Sequence, residues 1–586
     1  MTIVPRAPRP GGRSSQVQPR FGCNYCPALV LLLCSMGAMA DAVEQNAACV
    51  VVPEQAKSET FRFQDSPEHD ALVARLPEGT VVRSIRFQRF AVFDLEDPRE
   101  NKWLYRWAND LHSVTREWVL QNHLLIEEGE VFEARRAEES ERILRNLKFI
   151  YDASVRPWRW CGNEVDLEVV TRDIWTFTPS ISFSRSGGEN SSALGFRDSN
   201  FLGTGKQVLI EYDRDEERSG YTLGYTDPSL LGSRWEGRLR YTDNDDGYEH
   251  GLRINRPFYS VYEQWAAGTD LERQKLEQKL WFRGDETAEF DHEREEYRVF
   301  GGVAAHTEVN QRVDRWLFGY DYQSHEFSYS DSPIPPRELP EDREYSYPYI
   351  GYQSVEDEFS ELHNFDYLGR TEDVFIGERY QWALGWSGES FGATRDQLSF
   401  EGSYLNTLLA GSQQLWVIGS SLSGFWTLDD ESFENFWWVV ESRYHFKQSR
   451  NWALYSGLRL EYTDGLTGEN QVTLGGENGL RGYDRNYQVG DRSVVWSIEQ
   501  RYYSDWHPFR LFRVGLAAFI DVGRAWYEER DNGSNGGVLA DAGIGLRLNS
   551  SRAEKSAVVH VDLAFPFIRD DDVDDVQLLF TVKDRF

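Results

Sequence analysis

FLGTGKQVLIEYDRDEERSGYTLGYTDPSLLGS, residues 201–233, holds two alternating runs between two copies of one turn phrase. Val208, Ile210 and Tyr212 share one face of the first run, and Leu209 and Glu211 the other. Tyr221, Leu223 and Tyr225 repeat the habit in the second. A period of two is the mark of a β-strand with one apolar face. The phrase Phe201-Leu202-Gly203-Thr204-Gly205 returns as Leu230-Leu231-Gly232-Ser233 and then as Pro257-Phe258-Tyr259-Ser260, at spacings of 29 and then about 28 residues. That interval suits two strands and one long loop. Between the phrases lie polar, acidic stretches such as Asp213 to Ser219 and Thr242 to Gly247. Short turns on one side and long polar loops on the other describe a transmembrane antiparallel β-barrel.

The pattern extends outward from there. From Trp175 to Phe586 there are 412 residues without a helical pattern. Mean hydropathy is −0.58, and no run after the N-terminus reaches the roughly 20 apolar residues of a spanning helix. A barrel needs apolar residues only at alternate positions, so low hydropathy does not argue against one. The 20 Trp and 29 Tyr would supply its interfacial girdles. A soluble sandwich fits the composition too, but a propeller would repeat every 40 to 50 residues or so, and no such repeat occurs. With 63 basic and 96 acidic residues the net charge is −33, which argues against nucleic-acid binding.

The N-terminus reads as an address. Arg6, Arg9, Arg13 and Arg20 precede a short apolar core, Ala28 to Leu33, and Ala38-Met39-Ala40 is a small-residue cleavage signal. Residues 1–40 are therefore expected to be a secretory signal peptide. Cys34 follows Leu31-Leu32-Leu33, which lacks the small residues of a lipoprotein signal. Cleavage would remove three of the five cysteines and leave Cys49 and Cys161, expected to bridge in an oxidising compartment. Residues 41–80 read as an extension of the mature chain.

Residues 81–173 read as one small α+β domain. Val81 to Phe90 is a strand, Ser113 to Asn122 a helix, and Glu133 starts a second helix with Ala137, Ile143, Leu144 and Leu147 on one face. Phe149 to Trp158 and Val165 to Thr171 alternate as a hairpin. Asn101 to Ala108 is an aromatic-rich insert (Trp103, Tyr105, Trp107) with no place in this order. The order, with Glu127-Glu128-Gly129-Glu130-Val131-Phe132 and Leu147-Lys148-Phe149-Ile150, resembles a POTRA domain. It departs from that module where Phe149 follows Lys148 in place of a Gly-containing turn. One such domain precedes a barrel at 174–586.

Leu474-Gly475-Gly476-Glu477-Asn478-Gly479-Leu480-Arg481-Gly482-Tyr483 resembles the L-G-G…R-G-[YF] element of the BamA/TamA outer-membrane assembly family, within the bacterial surface antigen superfamily. Ser497-Ile498-Glu499-Gln500 resembles its S-x-E strand, and Phe519-Ile520-Asp521-Val522-Gly523 its F-x-D-x-G strand. The resemblance implies sixteen strands. It also implies that the sixth outer loop folds back into the lumen, where Arg481, flanked by Gly482 and Tyr483, meets Glu499 and Asp521 beside Gly523. A guanidinium fork can engage both carboxylates. On the last strand Leu578, Phe580, Val582 and Phe586 alternate, and a final Phe586 resembles an outer-membrane sorting signal, with Asp584 interrupting it.

The chain offers no enzyme site. The eleven His are scattered, and there is no H-E-x-x-H, no G-x-S-x-G and no phosphate-binding loop beyond the echo at Gly203 to Lys206. Asp243, Asp245, Asp246 and Gly247 read as a solvated hairpin loop rather than a calcium site. No cofactor or metal is expected. The expected location is the outer membrane, with the N-terminal domain in the periplasm. Expected partners are outer-membrane lipid and lipopolysaccharide, unfolded outer-membrane or secreted clients, and a periplasmic or inner-membrane protein at the POTRA-like domain. Three functions compete: an assembly factor working through a lateral seam between first and last strands, a dedicated translocator of two-partner-secretion type, and a passive channel or structural barrel.

Overall fold

The computed structural model describes residues 49–52, 63, 67–186, 189–214, 218–306, 312–528, 537–553, 558–569 and 572–583. The signal-peptide reading therefore lies outside the described residues, as do Asp584 and Phe586.

The N-terminal domain is a four-stranded sheet covered by helices. In chain order it holds β1 (Val50–Val51), α1 (Pro67–Val73), β2 (Val81–Phe90), α2 (Trp103–Leu111), α3 (Glu117–Gln121), α4 (Ala134–Asn146), β3 (Ile150–Cys161) and β4 (Glu164–Asp173). The sheet order is β1-β3-β4-β2, with β2 parallel to β4. Ala137 and Leu144 of α4 pack on Val82, Val165 and Leu167 of the sheet, as the helical spacing of the apolar positions dictates. The N-terminal extension joins this domain: Val50 and Val51 pair with Trp160 and Arg159, and the Cys49 and Cys161 sulfurs are bonded.

Two readings of this region need correction. The helix expected over Ser113 to Asn122 covers only Glu117–Gln121. Residues before it stay extended because Thr115 donates its N–H to Asp173 (2.7 Å) and Arg116 its N–H to the Gly203 carbonyl (2.9 Å). The unplaced aromatic insert is a helix, α2.

Among the described residues, the remaining chain forms one closed antiparallel barrel of twenty strands. It begins with β5 (Phe177–Ser186), β6 (Glu189–Asp198), β7 (Gln207–Arg214), β8 (Ser219–Asp227), β9 (Glu236–Asn244) and β10 (Gly247–Arg256). Then come β11 (Trp265–Phe282), β12 (Asp285–His306), β13 (Val313–Ser328) and β14 (Arg343–Val355). A small hairpin, β15 (Phe359–His363) and β16 (Thr371–Phe375), stands outside the wall. The wall resumes with β17 (Gly377–Ser387), β18 (Gln397–Ala410), β19 (Gln414–Thr427), β20 (Ser432–Lys447) and β21 (Trp452–Asp464). A second hairpin, β22 (Val472–Leu474) and β23 (Gln488–Gly490), precedes β24 (Arg492–Tyr503), β25 (Phe512–Trp526), β26 (Leu539–Ser550), β27 (Val558–Pro566) and β28 (Gln577–Lys583).

Sixteen strands were expected, and the structure overturns that number. The first six wall strands are short, eight to ten residues each, so more of them fit into the chain than a count borrowed from the resemblance allows. Alternation sorts the faces. On β25, Leu516 and Ile520 are exposed on the outside, while Ala517, Phe519 and Asp521 are buried inside.

The N-terminal domain sits against the turns of one mouth, here the near mouth. Asn200 donates to the Thr115 hydroxyl (2.8 Å), Val261 donates its N–H to Glu139 (2.7 Å), and Arg552 contacts Glu100 and the Val92 carbonyl. At the far mouth β11 and β12, 18 and 22 residues long, exceed the ~9–11 residues a spanning strand needs. Their Arg283-Gly284 turn, with both φ positive, folds across the opening. Arg283 there donates to Asp572 (2.7 Å) and to the Tyr487 hydroxyl (2.8 Å).

Candidate functional site

The loop between β21 and β24 turns into the lumen and is anchored by one guanidinium. Arg481 donates through Nε and Nη2 to both oxygens of Asp521 (2.7 and 2.8 Å) and through Nη1 to Glu499 (2.8 Å). Its Cζ lies 3.4 Å from the centre of the Phe519 ring. Ser497, opposite Asp521 in register, donates its hydroxyl to the same carboxylate (2.6 Å). Strand geometry explains the convergence: Ser497 and Glu499 on β24, and Phe519, Asp521 and Gly523 on β25, all alternate onto the inner face. Burial alone would disfavour the Arg481 charge. Asp521 and Glu499 outweigh it and hold the guanidinium well above its ordinary range.

The residues beside Arg481 complete the anchor. Gly482 donates its N–H to Asp541 (3.0 Å), and a Cβ there would stand 2.6 Å from the Asp541 Cβ. The Tyr483 hydroxyl reaches the carbonyls of Ala540 (3.0 Å) and Ile568 (2.9 Å), and its ring is fully buried with Leu474, Leu480 and Val495. At Gly523 a Cβ would stand 2.8 Å from the Val494 carbonyl oxygen, so the close approach of β24 favours glycine.

Four members of this cluster escaped the sequence reading. Arg501 donates to the second oxygen of Glu499 (2.9 Å), Arg547 pairs with Asp562, and Asp541 faces Asp521 across β25 and β26. Three guanidiniums thus interleave with four carboxylates inside the wall. A signal existed: Glu499 and Arg501, and Asp541 and Arg547, sit at even spacings on strands whose other face is apolar.

A second structure occupies the near mouth. In the β15–β16 hairpin, Leu362 and Phe365 are buried against Leu415, and Leu368 against Ala453 and Tyr503, all on the inner face of the wall. Glu372 accepts three backbone N–H bonds, from Phe365, Asp366 and Tyr367, which shape the bend. Arg145 of α4 grips the other side through Asp373 (2.6 and 2.9 Å) and Glu361 (2.7 Å). The hairpin is thus clamped between the N-terminal domain and the lumen. Replacing residues 359–375 by a short linker should expose Ala453. A charged maleimide should then label an Ala453→Cys variant on the order of tenfold faster, since labelling tracks local opening. Equal rates would show that the hairpin shields nothing.

Among the described residues, the wall has its fewest register pairs where it closes. β5 pairs with β6 over ten residue pairs and β27 with β28 over seven. Among the described residues, β28 meets β5 at one register pair, Phe580 with Arg185. Leu578 and Val582 are exposed on the outer face of β28, the face Phe580 shares by alternation. The acidic loop at Asp243 to Gly247 is an ordinary hairpin bend: Asp245 accepts from the Ser219 N–H and hydroxyl (2.9 and 2.8 Å), and Asp246 lies 3.4 Å from Arg218. Lys206 lies 3.1 Å from Asp227, within a barrel turn.

Comparison with known proteins follows the same lines. A family model described as the Omp85 superfamily domain matches residues 200–586. The outer membrane transporter CdiB of Dickeya dadantii (strain 3937) is 25% identical over 130 residues, 22% of this chain and 23% of that protein. The match thus spans under a quarter of that relative's length. Among solved structures, BamA from Haemophilus ducreyi lacking POTRA domains 1–3 is similar over 86% of this chain and 84% of its own, at 14% identity and a TM-score of 0.40. CdiB from Escherichia coli is similar over 87% and 77%, at 13% identity and a TM-score of 0.46.

Proposed function

The chain belongs to the Omp85 superfamily, whose members insert or translocate proteins at the outer membrane, and from that premise we propose that it is an assembly factor that passes β-rich clients into the membrane through the β5–β28 seam. The observation that carries this reading is the disparity, among the described residues, between one register pair at the seam and seven or more on either side of it. An opened seam presents two rows of unpaired N–H and C=O groups. A client strand can pair with those edges as an added strand. The barrier to insertion then falls without any bond chemistry.

Two further features support a lateral route over a straight one. The β15–β16 hairpin occupies the near mouth, and the Arg481 loop occupies the lumen above it. In this reading the Arg481–Glu499–Asp521 cluster is a lock that keeps the wall beside the seam rigid while the seam itself opens. The N-terminal domain acts as a periplasmic POTRA domain that receives clients or a periplasmic or inner-membrane partner. The Cys49–Cys161 bridge ties β1 to that domain.

The partial match to a CdiB transporter favours a second reading, a translocator dedicated to one secreted protein. Deleting the gene and comparing quantitative outer-membrane and secreted proteomes separates the two. The assembly reading expects several integral barrels to fall together. Loss of one secreted protein with barrels unchanged would replace it with the translocator. No change in either would leave a passive or structural barrel.

A further inference from the structure

The helix α2 has a face that neither the domain fold nor the proposed seam mechanism uses. Trp103, Leu104, Trp107 and Leu111 are 73%, 42%, 55% and 57% exposed. At 3.6 residues per turn they fall within an arc of about 100°. The adjoining arc is spent on docking. Tyr105 and Ala108 are buried with Val92 and Phe93, packed on Leu511 and Trp175, and the Tyr105 hydroxyl donates to the Phe509 carbonyl. Burying the small face and exposing two tryptophans has no rationale for a helix meant to lie in water.

The surroundings say what covers it. The near end of the barrel is marked by exposed tryptophans close to the starts of their strands: Trp265, Trp316, Trp416 and Trp452. Such a ring marks the level of the membrane–water interface. The turn that α2 docks on carries Trp506 and Phe509, 66% and 71% exposed, and it leads into the outward-facing Phe512, Leu516 and Ile520 of β25. The apolar face of α2 therefore continues the lipid-facing surface of the barrel at its near rim. Lys102 and Arg106, both exposed, lie along one edge of that face beside the exposed Asp110, and their long side chains can reach lipid phosphates. Trp175, against which the docking face packs, leads directly into β5.

We infer that α2 is an interfacial helix, which lays Trp103, Leu104, Trp107 and Leu111 into the headgroup region of the near leaflet at the foot of the seam. A helix with one aromatic face and cations along its edge lies in the plane of the interface, its apolar side roughly 5–10 Å into the headgroup–acyl boundary. It holds the N-terminal domain against the bilayer beside β5. The inference goes beyond the assembly reading and does not depend on any client.

The test is a depth measurement on the full chain in vesicles of phosphatidylethanolamine and phosphatidylglycerol. A nitroxide is attached at Trp107→Cys and, in a second protein, at Arg106→Cys. The ratio of collisions with oxygen to collisions with a water-soluble nickel chelate is expected to be several-fold higher at Trp107→Cys. Heat-modifiable migration of both proteins checks that the barrel is folded. Equally low ratios would overturn the inference, because both positions would then lie in water. Protection of Trp107→Cys from both reagents would also overturn it, because a protein surface would then be the occupant.

Discussion

Arg481→Ala is expected to destabilise the barrel by about 3–5 kcal/mol, the scale seen when one partner of a buried ion pair is removed. Asp521 has no solvent exposure and Glu499 is 6% exposed, so neither carboxylate can turn to water when the guanidinium goes. Arg547 lies 3.7 Å from Glu499 but is already paired with Asp562, and Arg501 already serves the other Glu499 oxygen. The loop would lose its anchor and the inner wall would keep uncompensated negative charge. Urea titration in detergent micelles, followed by heat-modifiable migration, should show a lower midpoint and a smaller folded fraction. Arg481→Lys should recover little, because an ammonium cannot engage Asp521 through two parallel bonds. Pairing Arg481→Ala with Asp521→Asn should recover part of the loss, since it removes the charge left behind. An unchanged midpoint for Arg481→Ala would mean that the cluster is solvated and holds nothing.

That cluster also shows how far the sequence could be read. Arg481, Glu499 and Asp521 were legible because three motifs fall in order, and because period-two alternation assigns Glu499 and Asp521 to one face. For Arg501, Arg547, Asp541 and Asp562 alternation gives the inner face but not the role, because a lone charge there looks the same whether it meets water or a partner strand. The partners of β26 and β27 are fixed by register, which alternation does not give. The strand number failed for a related reason. Alternation locates strands well and lengths poorly, and eight-residue strands such as β7 pack more walls into the chain.

The near-mouth hairpin was missed because a five-residue run such as Phe359–His363 carries too few positions for alternation to be read. Only its length separates it: β15 and β16 have five residues each, against the ~9–11 of a spanning strand. The aromatic insert resisted placement because α2 breaks the rule that a helix hides its apolar side. Its exposed face makes sense only beside a barrel rim, and no local pattern supplies that neighbour.

The second large effect is expected from closing the seam. Phe580 and Arg185 are register partners on neighbouring antiparallel strands, a separation that cysteines can bridge. The pair Arg185→Cys and Phe580→Cys, placed in a Cys49→Ser and Cys161→Ser background, would tie β5 to β28 without touching the Arg481 cluster. The barrel should fold and keep its heat-modifiable migration in both redox states, because one bond at an existing contact adds no strand and removes none. What changes is whether the edges can part. The measurement is the insertion of a small unfolded outer-membrane barrel by the reconstituted full chain, read by protease protection of the client, oxidised and reduced. The account predicts that insertion falls by at least about tenfold, equivalent to ~1.4 kcal/mol on the barrier, when the seam is tied, and recovers on reduction. Equal insertion in the two states would contradict it, because the client would then cross without the β5–β28 edges.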